Sequence, residues 1–294
     1  MIRRTFQLIP GIGPGREKAL WSKGVVDWAQ LQPDAKGHGL SKPALLLARE
    51  LLDQASNALQ GRDLSALASL LPSREHWRLY PEFQDEIVYF DIETDGRAFQ
   101  APTVVTLFDG ARFEVFVQGR NLDALPDALA KKRIWCTFNG SCFDVPVLRQ
   151  YFGAFPTPAA HLDLRFLCKR LGWHGGLKAL EDQLGFSRPR HLLGVDGMDA
   201  VLLWRAYQAS ADLEALRFLV EYNLYDAIQL RTLMERAFNQ AVEDAGWSEH
   251  RLPVFDRGDV LYDVSRHLLE LGPTPDDRKL LERIRRYDRN LLDE

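Results

Sequence analysis

The sequence predicts an α/β protein in which helices pack on a mixed β-sheet. Short alternating apolar runs are typical of strands, and longer runs with apolar residues at every third or fourth position are typical of helices. The strand patterns lie at 86–92, 103–108, 112–118 and 134–138, and the helical patterns lie at 121–132, 144–152, 177–184, 198–208 and 212–242. Short turns such as "FDGARF" join the first three strands, which are therefore expected to be antiparallel. The fourth strand is entered from a helix, so it is expected to run parallel to one of them.

The composition is that of an ordinary globular protein. Of the 294 residues, 46% are hydrophobic and 27% are charged. No run reaches the ~18 apolar residues of a membrane span, and no signal-peptide core follows Arg3 and Arg4. The three cysteines are an odd number without CxxC spacing, which favours a reducing cytosol over disulfides or a zinc site. We therefore expect a soluble, cytoplasmic protein that does not associate with membranes.

The chain divides into three regions. Residues 1–80 are expected to form a small all-α module that ends in a polar, Pro-marked linker, "LPSREHWRLYPEF", at 71–83. Residues 85–242 contain the strand patterns, and residues 243–294 are expected to form a charged helical extension. Residues 1–80 carry 11 basic and 7 acidic residues, whereas the remainder carries 26 basic and 34 acidic residues. A basic front module is compatible with nucleic acid binding and equally with ordinary surface charge.

Two carboxylates lie on one face of the first strand. In "EIVYFDIETDG", Asp91 and Glu93 are two positions apart, and strand side chains alternate between faces. Acids this close repel each other unless a proton or a cation lies between them. Magnesium or manganese is the usual solution, because hard cations take oxygen ligands. The alternative is a solvated strand edge where both acids face water.

A second group of polar residues follows the strand at 134–138. In "TFNGSCFDVPVL", Asn139 begins a turn and Asp144 begins the next helix. Either residue is explained without a site, Asn139 as a turn residue and Asp144 as an acid stabilised by the helix dipole. Asp163, in "HLDL", lies at another expected strand end, where it could add to the acidic site, although a structural role is the more common one.

A third acid interrupts a late helical pattern. In "LVEYNLYDAIQL", Asp226 lies on a stripe of apolar and aromatic residues that includes Tyr222, one turn earlier. Burial of an unpaired carboxylate costs several kcal/mol, roughly, so Asp226 should have a cation or hydrogen-bond donors nearby. The Tyr222 hydroxyl is in position to orient a water molecule.

Taken together, the Asp-x-Glu, Asn-x4-Asp and Tyr-x3-Asp patterns resemble the three motifs of the DEDD exonuclease superfamily. The tyrosine four residues before the last aspartate resembles the DEDDy branch, and Glu221 stands where the other branch has histidine. The resemblance covers roughly 85–240 and includes "GGLKALEDQLGFSRP" (175–189), which is similar to a segment of bacterial and archaeal RNase H-like domains. It implies an RNase H-like mixed sheet of five strands flanked by helices.

The resemblance also implies roles for individual residues. Two divalent ions, Mg²⁺ or Mn²⁺, would be held by four carboxylates: Asp91, Glu93, Asp144 and Asp226. Tyr222 would orient the attacking water, the ions would support an in-line displacement, and Asn139 would contact the nucleotide.

A glycine-rich turn near the N-terminus suggests a separate role. "LIPGIGPGREKALWSKGVVDW" (8–28) resembles the helix-hairpin-helix motif, which binds the DNA backbone without reading sequence. Gly11 and Gly13 would let a phosphate approach the backbone, and Arg16 and Lys18 would add charge. Only about eight residues precede the turn, so the first helix must be short. The alternative is a plain helical turn whose glycines serve packing alone.

The resemblance to the DEDDy motifs implies a metal-dependent 3′→5′ exonuclease that acts on single-stranded ends, and the resemblance of the front turn to helix-hairpin-helix favours DNA as the substrate. A ribonuclease or a structure-selective endonuclease with the same site is an open alternative, because the motifs indicate phosphodiester hydrolysis but do not distinguish deoxyribose from ribose in the substrate. A non-catalytic nucleic-acid-binding scaffold is the third possibility, and it predicts eroded carboxylates, whereas all four are present.

Overall fold

A five-stranded mixed sheet forms the centre of the protein. The structure, a computed structural model, describes residues 1–32, 39–186 and 188–256. The strands are β1 (Ile87–Thr94), β2 (Pro102–Phe108), β3 (Phe113–Val117), β4 (Ile134–Thr137) and β5 (Ala160–Asp163). Their order is β3-β2-β1-β4-β5, with β1 to β3 antiparallel and β4 and β5 parallel to β1. The mixed α/β sheet predicted from the sequence is confirmed, and β1 lies at its centre.

Nine α-helices surround the sheet in the part of the chain that the structure describes. They are α1 (Pro14–Ser22), α2 (Lys42–Gln60), α3 (Leu64–Leu70), α4 (Leu125–Ala130), α5 (Asp144–Phe152), α6 (Leu164–Arg170), α7 (Leu177–Leu184), α8 (Gly197–Ser210) and α9 (Leu213–Asp244). The single helix expected at 121–132 is instead a 3₁₀ turn, Leu122–Ala124, followed by the shorter α4. Pro126 explains the break, because proline fits the first turn of a helix but not its interior.

The two faces of β1 pack into two separate cores. Ile87 and Tyr89 belong to the core that includes α8 and α9. Val88, Phe90 and Ile92 point to the opposite face and pack with residues of α4 and α5. The strict alternation of strand side chains thus sends Asp91 and Glu93 toward α9.

The stretch expected to be a linker is buried. Residues 73–82 form a 3₁₀ helix, and residues 75–80 are all buried. Trp77 packs edge-on against Phe238 of α9 with ring centroids 5.6 Å apart, and the hydroxyls of Tyr80 and Tyr89 share a 2.8 Å hydrogen bond. The charged side chains that suggested a linker form ion pairs inside the fold, since Arg78 Nε donates to Glu75 at 2.8 Å. The N-terminal residues therefore share the α9-side core with the sheet.

The glycine-rich turn has an α-helix on one side only. It is followed by α1, whereas the element before it is a three-residue 3₁₀ helix, Ile2–Arg4. Gly11 adopts a φ of 81°, in the left-handed region that favours glycine. Gly13 has an ordinary φ of −98° as the N-cap of α1.

Two further observations complete the fold. The helical extension predicted at 243–294 lies mostly outside the described residues; within them, α9 ends at Asp244 and a 3₁₀ turn follows at Ser248–His250. Among the described helices, none is long and apolar enough to cross a membrane.

Candidate metal centre

Three carboxylates meet at the C-terminal end of β1. Asp91, Glu93 and Asp226 each place an oxygen within 4.8 Å of the other two. Asp91 and Glu93 share the face of β1 that α9 covers, and Asp226 projects from α9. Glu93 and Asp226 are 8% and 6% exposed, so the alternative of a solvated strand edge does not apply. We refer to these three residues as the carboxylate triad.

Asp144 is a fourth acid, and it lies close enough to interact electrostatically with Asp91 and Glu93. It is the first residue of α5 and is 3% exposed. Backbone N–H groups of Asp144 itself and of Ile92 stabilise its charged form. Its charge contributes to the raised pKa of Asp91, although it is not one of the three converging carboxylates. The separation follows from its origin on α5, which packs on the face opposite to α9.

Asp91, Glu93 and Asp144 hold protons more tightly than usual. Burial raises the pKa of Asp91 well above its ordinary value, and the charges of Asp226, Asp144 and Glu93 raise it further. Burial, with Asp226 next, likewise raises the pKa of Glu93, and burial raises the pKa of Asp144 to about 7. Crowded carboxylates of this kind are stabilised by a bound cation or by protons.

A buried arginine supplies one positive charge to the cluster. Arg188 Nη2 donates to Oδ1 of Asp226 and, at 2.5 Å, to Oε1 of Glu181. The side chains of Arg188, Glu181 and Asp226 are 4%, 3% and 8% exposed. Burial alone would lower the pKa of Arg188, but its bonds to Glu181 and Asp226 raise the pKa above the usual value. Nη1 of Arg188 is buried without a hydrogen-bond partner among the described residues.

Tyr222 lies one helical turn before Asp226 and is 4% exposed. Lys178 Nζ stands 4.6 Å from the centre of its ring, a cation–π contact. Burial, followed by the charges of Asp226, Glu93 and Asp91, raises the pKa of the Tyr222 hydroxyl above its ordinary value. The hydroxyl therefore stays protonated at neutral pH and is available as a hydrogen-bond donor.

Asn223 fixes the orientation of Asp91. Its Nδ2 donates a 2.9 Å hydrogen bond to Oδ2 of Asp91, and the residue is fully buried. Its Oδ1 has no partner among the described residues. An unpaired buried carbonyl is unfavourable unless a donor or a cation satisfies it.

The turn after β4 is held by Asp163. Asn139 adopts a left-handed φ of 66°, and its N–H donates to Oδ1 of Asp163 at 2.8 Å. The N–H of Ser141 donates to Oδ2 of Asp163 at 3.1 Å. A Cβ on Gly140 would lie 2.3 Å from Oγ1 of Thr137, so the turn requires glycine there. Asp163 thus has the structural role considered for it.

Three of the four residues predicted to bind DNA at the N-terminal turn are exposed. Arg16 and Lys18 are exposed, as is Gly11, whereas Gly13 is half-buried. Arg16 Nη1 donates to the carbonyl of Gly11 at 3.0 Å. No contact joins these four residues to the carboxylates in the described part of the chain, so the turn and the triad are separate features.

The donor set fits a divalent cation. It consists of carboxylate oxygens, which Mg²⁺ and Mn²⁺ prefer, and three of these converge. Burial, and after it the repulsion between neighbouring acids, raises the pKa values of Asp91 and Glu93, and a bound cation would offset both effects. The Oδ1 of Asn223, whose Nδ2 bonds Asp91, has no hydrogen-bond partner in the part of the chain that the structure describes, which is consistent with a site built for a positive ligand.

Several residues of the site were not assigned from the sequence: Lys178, Glu181, Arg188 and Asn223. The first three belong to the segment at 175–189, which was singled out by resemblance without roles for its members. Asn223 had a visible indication, since it is a polar residue in the apolar pattern of α9. Arg188 follows α7 and pairs with Glu181 seven residues earlier, but its bond to Asp226 of α9 forms only in the tertiary structure, so no local spacing predicts its place in the site.

The strand order of the sheet is that of an RNase H-like α/β fold, and the buried carboxylates form an acidic cluster of the kind that binds metal ions. A family model described as the RNase H superfamily matches residues 88–238, just over half of the chain. The chain belongs to the RNase H superfamily. No curated protein and no solved structure gave a significant match. RNase H-like nucleases act on nucleic acids with divalent metals, so membership together with the triad indicates a nuclease-type function.

Proposed function

We propose that the protein is a DEDDy-type, metal-dependent 3′→5′ exonuclease that hydrolyses the phosphodiester bonds of DNA at single-stranded ends. The observation that carries the proposal is the convergence of Asp91, Glu93 and Asp226 within 4.8 Å, with Tyr222 one turn before Asp226. The direction of hydrolysis rests on the resemblance of these residues to the DEDDy motifs.

In this proposal, Asp91, Glu93, Asp144 and Asp226 hold two divalent ions, Mg²⁺ or Mn²⁺. Bound ions would supply Lewis-acid activation of water and stabilisation of the leaving oxygen. The protonated Tyr222 hydroxyl donates a hydrogen bond that orients the attacking water. Asn223 keeps Asp91 in one rotamer through its 2.9 Å bond, and Asn139 lies at the end of β4, beside β1, where it is proposed to contact the terminal nucleotide.

Arg188 has a supporting role in the same proposal. Its guanidinium fixes the rotamer of Asp226 through a buried hydrogen bond. Its buried Nη1 has no hydrogen-bond partner among the described residues and remains a donor for an anionic group. Arginine binds phosphate oxygens well because its donors are planar and always charged.

The N-terminal turn is proposed to contact the DNA backbone through Gly11, Gly13, Arg16 and Lys18. The exposure of Arg16 and Lys18 supports this part of the proposal. Replacing both by alanine should weaken DNA binding while leaving Mg²⁺ affinity unchanged. Unaltered DNA binding would remove the turn from the proposed function. The three free thiols are in keeping with the proposed cytoplasmic location.

The alternatives are separated by one assay on the full chain. The protein is incubated with Mg²⁺ or Mn²⁺ and with DNA and RNA strands labelled at the 5′ or the 3′ end. Shortening from the 3′ end of DNA supports the proposal, and shortening of RNA alone makes the protein a ribonuclease. Internal cuts indicate an endonuclease. Binding without turnover indicates a scaffold.

A further inference from the structure

A positively charged segment borders the candidate metal centre. Residues 164–178, which comprise α6, the loop after it and the first residues of α7, contain no Asp or Glu. They include five residues with basic side chains: Arg165, Lys169, Arg170, His174 and Lys178. We call this stretch the basic segment. It lies in a part of the chain where acids outnumber bases, since 34 acidic and 26 basic residues follow residue 80.

Two of these cations face solvent without an acidic partner. Arg165 and Lys169 are exposed, and neither forms an ion pair with a carboxylate among the described residues. Arg165 Nη1 instead donates to Oδ1 of Asn139 at 2.5 Å. Arg170 differs, because it donates to Oε1 of the buried Glu75 at 3.1 Å. Arg165 and Lys169 therefore keep side-chain charges that are not taken up in ion pairs among the described residues, whereas Arg170 is used within the fold.

The same residues line an open cleft of about 580 Å³. Arg165 and Lys169 of α6 form one side and Leu177 and Leu180 of α7 form another. Its walls also include the half-buried Trp173. The volume is within the roughly 300–1,000 Å³ of pockets that hold small organic ligands, and hence of the size of a nucleotide.

The cleft opens beside the carboxylates. Asn139 and Phe138, which line it, directly follow β4, and β4 pairs in parallel with β1, with Cys136 opposite Tyr89. Phe138 and Asn139 are thus level with Asp91 and the residue after it. On the other wall, Leu177 precedes Lys178, which stands over the ring of Tyr222. A polymer strand that lay in this cleft would have its end beside the carboxylate triad.

We propose that this cleft holds the single-stranded end of a polynucleotide, with phosphates on Arg165 and Lys169 and a base against Trp173. The inference rests on the proposed function and assigns its substrate path. Exposed cations beside an aromatic ring are the combination that binds single strands, because the cations neutralise phosphates and the ring stacks on an unpaired base. A duplex hides the faces of its bases, so it cannot use Trp173.

Binding is measured separately from turnover. Full-length protein in EDTA is titrated against a fluorescein-labelled strand of twelve nucleotides, as DNA, as RNA and as a DNA duplex, at several salt concentrations. Lys169→Ala is compared with Lys131→Ala, which removes an exposed lysine at the opposite, N-terminal end of β4. Trp173→Ala is compared with Trp173→Phe, which keeps an aromatic face, and far-UV circular dichroism confirms that each variant is folded.

The expected result is tighter binding of single strands than of duplex. Lys169→Ala should bind several-fold more weakly, with a slope of log K against log salt that is shallower by about 0.7 per lost phosphate contact. Lys131→Ala should match the wild type. Trp173→Ala should lose about tenfold in affinity, and Trp173→Phe should recover most of it. The DNA and RNA arms decide which sugar the cleft accepts.

Two results would overturn the inference: equal affinities and salt slopes for the two lysine variants, or a preference for the duplex. Failure of the proposed function gives a different pattern. If the wild-type protein binds the strand but leaves it intact with Mg²⁺ and with Mn²⁺, the proposed nuclease activity is wrong and the inference about the cleft stands. If the wild-type protein shortens strands but Lys169→Ala binds them as tightly as the wild type does, the proposed nuclease activity stands and the inference about the cleft is wrong.

Discussion

Arg188 donates a buried hydrogen bond to Asp226, so the protein places a guanidinium of its own within the carboxylate cluster. The same group also binds Glu181. One arginine therefore connects α9 to the end of α7. It offsets part of the negative charge that Asp91, Glu93 and Asp226 bring together, and a divalent ion has to be accommodated beside it.

Arg188→Gln is expected to make the protein more dependent on metal. In EDTA the variant should unfold at a lower temperature, because Asp226 and Glu181 lose their buried partner, a change that typically costs about 3–5 kcal/mol. Mg²⁺ should restore part of the loss, so the Mg²⁺-induced rise in melting temperature should exceed that of wild type. Arg190→Gln, at an exposed position two residues away, is the control. Equal Mg²⁺-induced shifts in wild type and Arg188→Gln would contradict the charge-compensating role.

The stability of the protein in EDTA should fall as pH rises. The pKa of Asp144 is about 7 against an ordinary 3.8, and the pKa values of Asp91 and Glu93 are also raised. An acid whose pKa is higher in the folded state stabilises that state below its ordinary pKa, and the contribution is lost as pH rises through the folded value. The free energy of unfolding should therefore decrease between about pH 4 and pH 7 from this source.

Metal should reverse this trend, because bound ions require the deprotonated carboxylates. Denaturant titrations at pH 5, 6, 7 and 8, with EDTA and with Mg²⁺, measure both effects, and Asp144→Asn should flatten the EDTA curve. An EDTA curve that is already flat in wild type would show that these acids do not titrate as the structure indicates.

Tyr222→Phe should lower kcat without loss of metal binding. A hydrogen bond to a charged group contributes about 1.5–3 kcal/mol, so removing the hydroxyl should slow turnover roughly tenfold to a hundredfold. The ring and its contact with Lys178 are kept, and the Mg²⁺-induced thermal shift should be unchanged. Tyr207→Phe on α8, whose hydroxyl accepts from Arg120 at 3.1 Å, is the matched control. Wild-type kcat in Tyr222→Phe would exclude the water-orienting role.

The N-terminal residues should unfold together with the sheet. Buried Glu17 of α1 accepts hydrogen bonds from Thr5 Oγ1 at 2.6 Å, Phe6 N at 2.8 Å, Gln7 Nε2 at 2.9 Å and Arg78 Nη2 at 3.0 Å. Glu17→Ala leaves Arg78 without this partner and should lower the free energy of unfolding by about 3–5 kcal/mol. Lys18→Ala, next in sequence but exposed, should stay within about 0.5 kcal/mol of wild type.

Urea unfolding followed by circular dichroism and by tryptophan fluorescence tests this coupling. Coincident transitions that shift together in Glu17→Ala are expected. Two separate transitions, with only the first moved by the substitution, would instead describe an independent front module.

The sequence predicted the sheet because its strands carry local information. The alternation in β1 assigns Asp91 and Glu93 to one face, and the short turns make β1 to β3 antiparallel, as the structure has them. The position of Asp226 on an otherwise apolar stripe also follows from local periodicity. These features depend on spacing along one element, which is what a single sequence contains.

The features that were missed depend on contacts between distant segments. Residues 71–83 were expected to be a linker because the stretch is polar and contains Pro72 and Pro81, yet Arg78 pairs with Glu75 and Glu17 inside the fold. Likewise, Arg188 meets Asp226 across 38 positions of sequence. A charge that is paired by tertiary structure looks the same in sequence as a charge that faces water.

The central claim is tested most directly by following a 5′-labelled single strand of DNA with wild-type protein and with Asp226→Asn, which keeps the size of the side chain and removes its charge. With Mg²⁺ or Mn²⁺, the wild type should give a ladder of products that shortens from the 3′ end, and EDTA should stop it. Asp226→Asn should bind the strand as tightly while its turnover falls by at least a hundredfold, roughly, as expected when an essential catalytic group is removed. An undiminished ladder from Asp226→Asn, or no product from the wild type with either metal, would contradict the claim that the carboxylate triad is the catalytic centre of a nuclease.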